Sequence, residues 1–170
     1  LPLALFGISM AQVALPTLSS QAAAEDAAGV RRTVWLALRT SLLIALPSSI
    51  GLIVLAHPII RTLLEHGEFS SDSTALTVAA LQWYAVGLAS LCAGKVFVNT
   101  LYAFGDTWTP VRSSAVALGL NVILNLLLIR PMGLGGLALA TSLASTWNAR
   151  HLYRAVRGRI GPLPEEFRRA

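Results

Sequence analysis

Long apolar stretches separated by short clusters of charge decide what this chain can fold into. Val34 to Ile60 carries Arg39 as its one formally charged side chain, and Thr74 to Phe104 carries only Lys95. Val111 to Ile129 and Leu134 to Leu152 hold one arginine each, Arg112 and Arg150. A helix needs about 20 apolar residues to cross a bilayer, and each of these runs has roughly that many or more. A soluble domain carries about 25% charged residues. Here the figure is 12% against 55% hydrophobic, too little polar surface to wet a globule. The chain therefore reads as all-α, a polytopic bundle of transmembrane helices.

Five segments are expected, at about 1–24, 34–60, 74–104, 111–129 and 134–152, forming one bundle over 1–157 with a tail at 158–170. The first run begins at once with Leu1, without the basic region and cleavage site of a signal peptide, so the chain reads as starting inside a membrane segment. Pro2, Pro16 and Pro47 lie within runs, which membrane helices tolerate because neighbouring groups re-satisfy the freed backbone. Glu25 to Arg32 reads as a polar linker, and Leu64 to Ser73 as a loop interrupted by Gly67, with Ser71 or Asp72 as the next N-cap. Gly105 to Pro110 is a turn, and Arg130-Pro131-Met132-Gly133 a tight reversal.

Alternate connections differ sharply in charge. One side receives Arg31, Arg32, Arg39, Arg112 and every arginine from Arg150 to Arg169, whereas the other receives Arg61 and Arg130 beside Glu65, Glu68 and Asp72. The positive-inside rule places the first side, and the C-terminal tail, in the cytoplasm. Trp35, Trp108, Trp147 and Tyr153 fall near the same ends, as an aromatic belt would. The net charge of +5 thus serves topology. Its arginines flank apolar runs and form no basic face interleaved with aromatics, which argues against nucleic acid. The single cysteine, Cys92, excludes an internal disulfide framework and reads as a small hydrophobe.

Two groups carry chemistry. Lys95 is an ionisable residue inside an apolar run, where a charge is costly and commonly faces a cavity or partner. It is either a cationic contact for an anionic headgroup or gate, or a lysine that snorkels to the interface. Asn121 and Asn125, four residues apart, share one helix face, and Thr141 lies at mid-depth on the next helix. Their oxygens could hold a small hard cation, or the side chains could simply bond one helix to the other. The outer Glu65, His66, Glu68 and Asp72 lack metal-ligand spacing and read as a solvated gate loop, while His57 and His151 read as interfacial. No nucleophile–base pair, phosphate loop or redox motif is visible, so an enzyme is not expected.

Several short signatures occur in order: Leu1-Pro2 with Gly7, Leu15-Pro16-Thr17-Leu18-Ser19, Leu63 to Phe69, and Lys95-Val96-Phe97. Tyr102-Ala103, Asp106-Thr107, Thr109-Pro110-Val111, the Asn121/Asn125 pair and Gly133 to Ser142 follow. Together they resemble MurJ/MviN-type lipid II flippases of the multidrug/oligosaccharidyl-lipid/polysaccharide exporter superfamily. The resemblance implies helices eight to twelve of about fourteen, most of the second lobe of a MATE-like transporter, and a first lobe that this chain lacks. It further implies a bacterial cytoplasmic (inner) membrane protein that moves the undecaprenyl-pyrophosphate-linked peptidoglycan precursor by alternating access. Asn121, Asn125, Thr141 and the Leu137 carbonyl match positions at which some members hold sodium; no other cofactor is implied. Another exporter of polysaccharide–lipid or drugs, or a non-transporting scaffold module, is the alternative.

Overall fold

A computed structural model describes residues 14–64 and 71–161, except for the side chains of Ser71 and Asp72. Among these residues the chain forms four helices: α1 (14–23), α2 (Ala27–Leu64), α3 (Ser71–Ala103) and α4 (Trp108–Ile160). Helices α2, α3 and α4 are each long and apolar enough to cross a membrane. The Glu65, His66 and Glu68 loop and residues 162–170 of the tail lie outside the described residues.

Four helices stand where five segments were expected because the Arg130 to Gly133 reversal consumes almost no chain. Gly133 alone leaves helical geometry, at φ 55° and ψ −131°, two residues after Pro131. A positive φ there suits a residue without Cβ. Were α4 straight, Ser113 and Asn148 would lie about 50 Å apart at the α-helical rise. Instead the Ser113 hydroxyl donates to Asn148 Oδ1 at 2.5 Å. The two arms of α4, 108–132 and 134–160, therefore run antiparallel, each with the length of one pass. Gly136 permits their close approach, since a Cβ there would strike the backbone carbonyl of Leu128.

Most other boundaries move outward from those expected. Helix α2 begins at Ala27, inside the expected linker, because Asp26 Oδ1 accepts the Gly29 N–H at 2.8 Å and caps the first turn. The second arm of α4 continues to Ile160 rather than stopping near Leu152, and ends where Gly161, at φ 77°, donates its N–H to the Arg157 carbonyl. Hydropathy locates the lipid-embedded portion of a helix, whereas capping decides where the helix stops. These helices therefore extend past the apolar runs by several residues.

Helix α3 is the centre of the bundle, packing on α2 and α4, which barely touch each other. Its neighbours bond to its backbone: Ser49 of α2 donates to the Ala85 carbonyl at 2.5 Å, and Ser142 of α4 to the Trp83 carbonyl at 2.6 Å. Gly87 lets Ser142 lie directly against α3. In return, Gln82 Nε2 donates to the Ile53 carbonyl of α2 at 3.2 Å. Small residues at these crossings let the backbones approach closely, the usual basis of helix association in lipid. Large apolar side chains such as Leu43, Ile50, Val54, Leu118, Leu126 and Leu127 point outward and are exposed, as lipid-facing residues should be.

Large side chains are buried mainly at the arginine-rich end. There Leu18 of α1 meets Val30, Val34 and Leu38 of α2, Val96, Phe97 and Leu101 of α3, and Leu152, Val156 and Ile160 of α4. Arg31 donates through Nε and Nη2 to the Ile160 carbonyl at 3.1 and 2.7 Å, closing the last turn of α4 from a residue far away in sequence.

Candidate functional site

A groove of about 410 Å³ runs between α3 and both arms of α4. Ser90 and Lys95 line it from α3, Ser114 and Asn121 from the first arm, and Thr141, Ser145 and Asn148 from the second. Two groups that the sequence presents separately thus share one space: Lys95 opens onto the groove that Asn121 and Thr141 border. The Lys95 side chain is exposed and has no carboxylate partner among the described residues. It lies about 12 Å along α3 from Ala103, within reach of the arginine-rich end.

All four candidate cation ligands belong to one hydrogen-bonded chain. Asn125 Nδ2 donates to Asn121 Oδ1 at 3.0 Å, and Asn121 Nδ2 donates to Thr141 Oγ1 at 3.2 Å. Thr141 Oγ1 in turn donates to the Leu137 carbonyl at 3.0 Å. The remaining acceptor, Asn125 Oδ1, is buried and receives no donor. A buried unsatisfied carbonyl oxygen costs on the order of 1–3 kcal/mol, and a small cation or a rotated donor would relieve it. The chain bonds the two arms together in either case. The geometry thus serves both the interhelical reading and the cation reading.

Nearer the arginine-rich end, the same interface carries contacts that the sequence does not announce. Ser113, buried between the arms, bonds to Asn148 and lies 3.1 Å from His151 Nδ1. The His151 ring stacks on Trp147 at 5.3 Å between centroids, so His151 is more than an end-of-segment residue. In the α3–α4 turn, Asp106 Oδ1 accepts the Thr109 N–H at 2.9 Å, and Oδ2 accepts the Thr109 hydroxyl at 2.7 Å and Arg159 Nη2 at 2.5 Å. The backbone and side-chain bonds from Thr109, with help from the Arg159 guanidinium, hold the Asp106 carboxyl below its ordinary value. Arg159 also lies over the Phe104 ring at 5.9 Å. Asp106 and Arg159 are 53 positions apart, and no local pattern links them. Asp106 is a structural clasp, consistent with its place in a turn.

Comparison with known proteins agrees with this architecture. The family model described as lipid II flippase MurJ matches residues 1–166. A probable lipid II flippase MurJ of Haemophilus influenzae is 36% identical over 161 residues, 91% of this chain and 31% of that protein. Its counterpart in Rickettsia prowazekii is 33% identical over 152 residues, 89% and 30% of the two chains. A solved structure of lipid II flippase MurJ in an inward closed conformation superposes with a TM-score of 0.80 at 32% identity. That superposition covers 92% of this chain and 33% of the other. This chain spans about a third of the length of these relatives. By the family match along nearly its whole length and by its fold, the chain belongs to the lipid II flippase MurJ family.

Proposed function

We propose that this chain supplies part of the transport pathway of a lipid II flippase, acting with the further two thirds of length that its relatives possess. The substrate in this reading is the undecaprenyl-pyrophosphate-linked peptidoglycan precursor, carried across the bacterial cytoplasmic membrane by alternating access. The observation that carries it is Lys95, a cation without a carboxylate partner among the described residues, on a groove otherwise lined by hydroxyls and amides. An ammonium in a low-dielectric surround attracts a pyrophosphate strongly, and hydroxyls and amides suit a sugar–peptide headgroup. The arginine-rich end lies in the cytoplasm, as the positive-inside rule requires, together with the C-terminal tail.

The test is growth. In cells depleted of their own flippase, full-length protein carrying Lys95→Ala should rescue plating about tenfold or more less well than the parent, the loss of one charge-assisted contact. Lys95→Arg should retain rescue. Full rescue by Lys95→Ala at matched membrane levels would overturn the role given to this residue.

The unpaired Asn125 Oδ1 favours a second role for the same helices, a sodium site formed by Asn121, Asn125, Thr141 and the Leu137 carbonyl. Sodium should raise the thermal midpoint of the full-length protein relative to an equal concentration of choline. Asn121→Leu should abolish that rise. An identical sodium response in the variant removes the site and leaves the hydrogen-bonded chain as its whole purpose.

A further inference from the structure

Asn148 links the groove to a group that can carry a proton. Its side chain lines the groove together with Lys95, and its Oδ1 accepts the Ser113 hydroxyl at 2.5 Å. Ser113 is buried between the arms of α4, and its oxygen also lies 3.1 Å from His151 Nδ1. Lys95 and Asn148 flank one helix contact. A Cβ on Gly94 would lie 3.9 Å from the Ala149 side chain, and these two positions adjoin Lys95 and Asn148 in sequence.

A hydroxyl has one proton to give, and the direction in which Ser113 gives it decides what the groove is offered. In the structure it goes to Asn148, so the Ser113 oxygen must receive the His151 Nδ1–H. The Asn148 amide nitrogen then has no partner among the described residues and presents its two N–H donors to the groove. The reverse direction is open only to a neutral His151 with its proton on Nε2. Ser113 would then donate to Nδ1 and Asn148 Nδ2 to Ser113, leaving Oδ1 toward the groove as an acceptor for the Lys95 ammonium. An imidazolium donates from both nitrogens and forbids that reversal.

Histidine is the side chain suited to exchanging a proton near neutral pH. His151 lies about 14 Å along its arm from Ile160, near the arginine-rich end. Its ring stacks on Trp147, whose face can steady an imidazolium. The charged side chains on the elements around it are Arg150 and Arg154 of its own arm, Arg112 of the first arm and Lys95 of α3. The Asp106 carboxylate of the α3–α4 turn is taken by Thr109 and Arg159. We propose that Asn148 is a second ligand for the anionic headgroup in the Lys95 groove, and that protonation of His151 turns its amide donors toward that headgroup through Ser113. Ser113 and His151 are positioning residues. The groove then grips an anion when His151 is charged and lets Lys95 rest on the Asn148 oxygen when it is neutral. The ligand in this proposal rests on the transport reading above, whereas the His151–Ser113–Asn148 relay rests on its own contacts.

The test is the affinity of the full-length protein in nanodiscs for undecaprenyl pyrophosphate at about pH 5.5 and about pH 8, either side of the histidine range. The gain in affinity on acidification should be about tenfold larger in the parent than in His151→Gln, the size of one hydrogen bond to a charged group. Titration of the lipid itself is common to both proteins and cancels. Trp147 fluorescence, taken as the difference from Trp147→Phe, reports protonation of the stacked ring directly. Ser113→Ala should keep that fluorescence titration yet lose the extra gain, because the proton no longer reaches Asn148. If Ser113→Ala does not fold, Asn148→Leu carries the same expectation. An undiminished gain in Ser113→Ala, or a parent whose Trp147 signal does not titrate, overturns the relay. If Lys95→Ala still weakens binding in that case, the transport reading stands without it. Equal affinities of parent and Lys95→Ala at both pH values overturn the two together.

Discussion

The arginine-rich end and the middle of the bundle are held together in different ways. At the end, Leu18, Val34, Leu101, Leu152 and Ile160 interlock as they would in a soluble protein, and Arg31 and Arg159 tie helix ends across the bundle. In the middle, helices meet through Gly87, Ser142 and Gly136, with serine hydroxyls on backbone carbonyls and the Asn125–Asn121–Thr141 chain across α4. Water explains the contrast. Helix ends that protrude from lipid can gain from burying large apolar groups, whereas inside hydrocarbon those groups lose nothing by facing outward. Cohesion in the middle then rests on close approach and on polar bonds worth about 0.6 kcal/mol each on average. On the transport role proposed above, a firm end would keep the helices assembled and a lightly bonded middle would let the groove change shape.

The contrast can be broken most severely in the middle. Gly136→Val places a side chain against the Leu128 carbonyl, backbone against which no rotamer gives way, so the arms of α4 must separate. Overpacking costs about 1–3 kcal/mol when side chains can shift and more when they cannot. Little folded protein should survive detergent extraction, as read by size-exclusion chromatography. At the arginine-rich end, Leu101→Ala should destabilise by about 2–5 kcal/mol, the range for a fully buried leucine. A thermal midpoint lowered by only as much as for an exposed leucine such as Leu118 would mean that this core is not packed like that of a soluble protein.

Asp106→Asn is the mildest of the three and sharpens the picture of the clasp through pH. A carboxyl held below its ordinary value of 3.8 contributes stability that is fully present above that value. The contribution is lost as pH falls through the lower, folded-state value. The parent should therefore lose stability on acidification below about pH 4 more steeply than the variant, and should be the more stable of the two at neutral pH. Parallel pH profiles of the thermal midpoint would show that the clasp is dispensable.

The spans were legible in the sequence because lipid leaves so few options: Val34 to Ile60 or Thr74 to Phe104 could hardly be anything but a membrane helix. Their ends were not, since the first turns of α2 are charged and small, and only the Asp26 cap reveals them as helical. The Asn121–Asn125–Thr141 grouping could be read from helical spacing and a tight reversal. That Lys95 faces the same groove could not, because the rotation of α3 against α4 is set by Gly87 and Ser142 touching at a distance of 55 positions. Arg31 on Ile160 and Arg159 on Asp106 are likewise pairings that only the assembled bundle specifies.

The reversal of α4 at a single glycine bears on how its two arms can move. With one residue outside helical geometry between them, there is no loop to absorb a displacement of one arm against the other. The arms are further joined at the Asn121–Thr141 bond, so they form a single hairpin that shifts as one body. Arg130 stands near the tip of that hairpin, at the end opposite the arginine-rich one, and any tilt of the pair carries its charge along.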